Sequence, residues 1–181
     1  MHKINIEPLK EYASYLNSIF NQTVTDSRVT VFQNKNNSVL YITRHQNLVV
    51  LPLELKPHRY LHFMQRATVQ PDDKIRIEEC RYAYSLSDDP DNEKSWVCRY
   101  EFSLAPNKFH YPHAHIHVNA KEHDIKHIHF PTGRISIEQL LAHLIIEHHV
   151  EPRDINWFKL LAESHKEFIK KRTDTELYLF P

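Results

Sequence analysis

The sequence predicts an α+β fold, an antiparallel β-sheet (a meander of long hairpins) covered by an N-terminal helix and two C-terminal helices. Three observations carry this. Residues 74–86 and 95–104 alternate apolar and polar with a period of two around the turn-forming loop S-D-D-P-D-N-E-K. Three- and four-residue apolar spacing appears near the two ends of the chain, at 7–21, 135–149 and 155–171. No linker or repeat divides the chain, so a single domain over 1–181 is expected: a helix and short strands over 1–70, the sheet with a His-rich hairpin over 71–134, and two helices over 135–173.

Each element has its own warrant. In 7–21, Leu9, Tyr12, Leu16, Ile19 and Phe20 form one stripe, with Pro8 admissible in the opening turn. Strands are expected over 28–33 and 38–44 around the turn N-K-N-N. The apolar run 48–55 is a third, with Pro52 marking an edge or a break. Residues 58–65 are expected as a short helix. On 74–86 one face holds Cys80, Tyr82, Tyr84 and Leu86; on 95–104 one face holds Trp96, Cys98, Tyr100, Phe102 and Leu104, opposite Arg99, Glu101 and Ser103. Asp154 is the expected N-cap of the last helix, and K-K-R at 170–172 complements its dipole. The tail T-D-T-E-L-Y-L-F-P adds an edge strand or frays.

Composition narrows the function. Lys+Arg and Asp+Glu balance at 23 each, so no global basic field argues for duplex DNA. Nothing resembles a signal h-region or a run of about 18 apolar residues, so a cytoplasmic protein with no membrane partner is expected. Cys80 and Cys98 fall inside strands and are expected as reduced, buried thiols. With a single glycine, Gly133, the turns fall to Asn, Asp and Pro.

The chemistry gathers in 111–134, Y-P-H-A-H-I-H-V-N-A-K-E-H-D-I-K-H-I-H-F-P-T-G-R, which holds six of the fifteen histidines. In an extended strand Tyr111, His113, His115, His117 and Asn119 point one way, against Ala114, Ile116 and Val118. His127 and His129 share a face on the return strand. Keeping the apolar sets together with a five-residue loop (121–125) sets His117 opposite His129 and Asn119 opposite His127, and leaves out His123. Five imidazoles then share one patch, and three readings stay open. A solvated His-rich face is the plainest. A metal site would use His115, His117 and His129 for a divalent transition ion such as zinc, oriented by Glu101. Phosphoester chemistry would use His113, His115, His117, His127, His129 and Arg134 as catalytic groups, with Tyr111, Asn119, Arg99 and Glu101 in support. Thr132, Gly133 and Arg134 would bind phosphate at a helix start capped by Ser136 and Gln139, the glycine marking a strained or close backbone. His143, Glu147 and His148 miss the zincin spacings and are expected on a solvated face.

H-A-H-I-H-V at 113–118 resembles the signature of the histidine-triad nucleotide hydrolases and transferases, which implies His115 as nucleophile on an α-phosphate. The wider pattern, HxHxH then H-F-P-T-G-R then an apolar helix, resembles an uncharacterised bacterial family of unknown function. More loosely, residues 96–150 look like ribonuclease-type toxins of toxin–antitoxin pairs, which implies an antitoxin-like protein partner; a homodimer is the alternative. The expectation is a hydrolase (a nuclease or nucleotide hydrolase) acting on RNA or nucleotides. The alternatives are a metal-binding domain or metalloenzyme, and a non-catalytic interaction protein sensitive to pH through its histidines.

Overall fold

The computed structural model describes residues 5–33, 39–47, 49–89, 92, 95–105, 113–119 and 130–171. Tyr111, His123, His127 and His129 lie outside them, as do the N-K-N-N turn and the tail. Among the described residues the order is α1(Glu7–Thr23), β1(Thr30–Gln33), β2(Leu40–Gln46), β3(Val49–Leu51), β4(Leu53–Leu55), β5(Arg59–Val69), β6(Ile75–Ser85), β7(Trp96–Ser103), β8(Ala114–Val118), β9(Phe130–Pro131), α2(Ile137–His148) and α3(Trp157–Lys171). All paired strands are antiparallel. They run β1-β2-β5-β6-β7-β8-β9, with β3 beside β2 and β4 beside β5. The α+β arrangement expected from the sequence is the one observed.

Each helix forms because one stripe of it needs cover. Leu9, Ala13, Leu16, Ile19 and Phe20 of α1 are buried, as are Ile137, Leu140, Leu141, Leu144 and Ile145 of α2. Fully burying each large side chain contributes about 1.5–3 kcal/mol. They pack on the sheet face that carries Phe63, Cys80, Tyr82, Tyr84, Cys98 and Phe102. Phe63 stands between Phe20, edge-on at 5.4 Å, and Tyr82, stacked at 5.1 Å. Both cysteines are free and buried there, and burial pushes each thiol up to about 11.

Several local expectations change. Residues 59–69 form a strand, not the short helix expected over 58–65. Leu61, Phe63, Gln65 and Ala67 are buried in alternation, and the amide of Gln65 reaches the Tyr82 hydroxyl at 2.7 Å. The apolar run does break at Pro52, where β3 gives way to β4. A register shift after Tyr84 buries Ser85 and leaves Leu86 exposed, outside the face it was expected to join. The same shift pairs Trp96 with Ser85, and the Trp96 ring meets the Arg99 guanidinium at 5.5 Å instead of following Cys98 and Tyr100. The last helix starts at Trp157; Asp154 accepts the Asn156 N–H at 2.6 Å in the preceding turn and is not its N-cap. With glycine almost absent, left-handed backbone falls to Asn47, His58, Asp73 and His149.

Candidate metal centre

The second sheet face builds the site through register. β7 and β8 set Glu101 opposite His115 and Arg99 opposite His117; β6 sets Arg81 opposite Glu101. Strand alternation sends these side chains away from the helices, because Cys80, Phe102 and Ala114 take the helix side. Two rows cross the strands, Arg81–Glu101–His115 and Ala83–Arg99–His117. The β8–β9 register agrees with the one expected from the sequence. His115 pairs with Pro131 and Ile116 with Phe130, so paired numbers sum to 246 (115 + 131, 116 + 130), as 117 + 129 does.

At the centre the two Glu101 oxygens divide the work. Oε1 faces the guanidinium nitrogens, Arg99 Nε at 2.8 Å and Arg81 Nε at 3.4 Å. Oε2 faces the imidazoles, His115 Nε2 at 3.3 Å and His117 Nε2 at 3.5 Å. The rings meet edge to face at 5.0 Å. His115 and His117 are 3% and 4% exposed, which removes the solvated-face reading for these two. Burial alone would push the Glu101 carboxyl up. The hydrogen bond from His115 and the charges of Arg99, Arg81 and His117 outweigh it and hold the group at about 2. Glu101 is therefore an anion at every physiological pH.

One ligand atom from each of Glu101, His115 and His117 lies within 4.8 Å of the other two. Ligands about 2.0–2.1 Å from a tetrahedral ion stand about 3.3–3.4 Å apart, close to the spacing of Oε2 from each ring nitrogen. The three side chains could hold a metal ion, and the two carboxylate–imidazole spacings suit one of the zinc class. An ion held there would replace the proton between His115 and Glu101, while the arginines orient the carboxylate from its far oxygen. Glu101, expected to orient the ligands, stands close enough to be a donor itself. Its signal in the sequence was real but needed the β7–β8 register to be read.

The other expected site residues that are described are engaged elsewhere or border the centre from the side. His113 turns Nδ1 to the Ser103 carbonyl at 2.6 Å, and Asn119 donates to the Trp96 carbonyl at 2.7 Å, so both fasten β8 to β7. The Arg134 guanidinium lies 4.5 Å over the Phe102 ring, on the helix side of the sheet. Thr132 donates its hydroxyl to the Gly133 carbonyl at 2.7 Å. Thr132, Gly133, Arg134 and His115 border a cavity of about 10 Å³, room for one water and not for a phosphate. A Cβ on Gly133 would meet nothing within 4 Å and its φ is not positive, so neither reason expected for the glycine applies. The capping box at Ser136 and Gln139 is present, with bonds of 3.2 and 2.9 Å. That helix start is closed to an anion from outside. Ser136 and Glu138 are buried, and the Glu138 carboxylate already accepts from Ser164 at 2.5 Å and Tyr15 at 3.3 Å. His143 and His148 are half-buried against Tyr100 and Tyr84, with ring centroids at 6.2 and 4.6 Å, and Glu147 between them in the chain is exposed as expected.

Among the described residues, no helix is long and apolar enough to cross a membrane. Compared with protein-family profiles, with curated proteins and with solved structures, the chain matches none of them. The resemblances to histidine-triad enzymes and to ribonuclease-type toxins accordingly rest on the short motifs alone.

Proposed function

We propose that the protein is a metal-dependent phosphoester hydrolase acting on RNA or nucleotides, with its ion held by Glu101, His115 and His117. The observation that carries the reading is the convergence of one carboxylate and two imidazole donors within 4.8 Å on the paired strands β7 and β8. Three protein donors with a fourth position for water is the arrangement catalytic zinc sites use. A bound ion supplies Lewis acidity and lowers the pKa of a coordinated water. The protein's own groups do the rest. Glu101, fixed through Oε1 by two guanidiniums, holds its ligand oxygen still. Arg81, whose side chain is 52% exposed, is the cation beside the site that an incoming phosphate would meet. Trp96, against Arg99, offers an aromatic surface that suits a nucleobase.

A second, metal-free reading has its own observation. Arg81, Arg99 and Glu101 sum to one surplus positive charge (2 − 1), which attracts a phosphate and opposes a cation. Acid–base work would then fall to His115 and His117. Elemental analysis of the untagged protein separates the two, alongside turnover of bis(p-nitrophenyl) phosphate and a short single-stranded RNA. The metal reading expects roughly one ion per chain, lost in His115→Ala together with activity. Turnover that persists without an ion but fails in His115→Ala favours the second reading. Turnover indifferent to His115→Ala and Arg81→Gln rejects both.

A further inference from the structure

A groove of about 390 Å³ runs between α1 and β1, which ends the strand order among the described residues, far from the candidate metal centre. Among the described residues β1 is the last strand on that side, and its one ladder is to β2. The side-chain amide of Asn17 brackets the residue just before the strand. It accepts the Val29 N–H at 2.8 Å and donates to the Val29 carbonyl at 2.9 Å. One amide giving and taking at a single residue does what a neighbouring strand would do. Val29 therefore presents both backbone groups away from β2, and strand alternation directs those of Val31 and Gln33 the same way. Val29 and Val31 line the groove.

The charge of the groove selects an occupant. Among the described residues Lys10 and Arg28 line it and no acidic residue does. Among the described residues Lys10 pairs with exposed Glu7, at 3.0 Å, a contact worth little in water. Arg28 is exposed and has no ion pair among the described residues. A second copy docked on this edge would set cations against cations. We propose that the edge of β1 and the groove beside α1 bind an extended acidic peptide as an added strand, started by Asn17 and continued by the backbone of Val31 and Gln33. Backbone pairing supplies the hold and Arg28 with Lys10 the preference for acidic side chains.

The test uses the full chain, ¹⁵N-labelled, titrated with an acetylated nine-residue Glu–Val repeat and with a Lys–Val repeat of equal length. The Glu–Val peptide is expected to shift the Val31 and Gln33 amides. Arg28→Glu should weaken it by about tenfold or more. Val31→Pro removes one outward donor without touching the β2 ladder, so it should abolish binding while β2 amides keep their positions. Hydrolytic activity should be unchanged in both variants. Four results would each overturn the proposal: equal binding of the two peptides, shifts confined elsewhere, wild-type affinity in Arg28→Glu, or no binding at all. Sedimentation showing a dimer that Val31→Pro dissolves would also overturn it, in favour of self-association.

Discussion

Strands β6, β7 and β8 present two faces made from alternating residues of the same backbone, and the faces do opposite things. On one, Cys80, Tyr82, Tyr84, Cys98 and Phe102 are buried under helices and contribute stability through apolar area. On the other, Arg81, Arg99, Glu101, His115 and His117 form a charged network that apolar burial does not explain. The difference teaches that a strand can separate stability from chemistry at single-residue spacing. A substitution should then damage one property and spare the other.

That separation can be broken in order of size. Phe63→Ala removes the ring between Phe20 and Tyr82 and should cost about 3–5 kcal/mol in urea unfolding, while the ion content of the folded fraction is unchanged. If the ion is lost as well, the faces are not independent. Stripping the ion with a chelator should lower stability by about 2.7 kcal/mol relative to protein held at 100 times Kd, and Glu101→Gln should erase that response. A chelator effect that survives Glu101→Gln would place the ion elsewhere. Arg81→Gln should change stability by no more than about 1 kcal/mol, since its ion pair is half exposed. Turnover, by contrast, should fall about 100-fold if Arg81 meets the phosphate.

The smallest effect is one of pH. Burial against Tyr84 and the charge of His143 lower the pKa of His148. A folded pKa below the unfolded value near 6.5 means the unfolded chain binds the proton more readily. The stabilisation is therefore present above about pH 6.5 and is lost as pH falls through the lower, folded pKa. Melting temperature should decline from pH 7.5 to 5.5, and His148→Gln should flatten the slope. An unchanged slope would assign the acid sensitivity to other groups.

Much of this was readable from residue order, and the failures have physical causes. Alternation in 74–86 and 95–104 showed both faces, and apolar matching across the His-rich hairpin produced the register that β8 and β9 adopt. The strand β5 reads as a helix in the sequence because Tyr60, Leu61, Phe63 and Met64 mimic helical spacing. The position that would have corrected it is a buried glutamine, satisfied by a distant tyrosine. Arg134 was expected beside the histidines because it follows them closely in the chain. Yet the apolar stripe of α2 has to cover the apolar face, and the helix start travels with it to the far side of the sheet. Glu101 was legible only as a neighbour, since its distance from the imidazoles depends on a pairing the sequence does not write down.

The two thiols under the helix layer make one more property measurable. With Cys80 and Cys98 buried and each held at about 11, alkylating reagents meet almost no thiolate in the closed protein. Modification has to wait for the helices to lift, so its rate under excess reagent counts opening events. The chain thus carries its own clock for the detachment of α1 and α2. Comparing that clock with and without zinc would show whether an ion on one face slows breathing on the other.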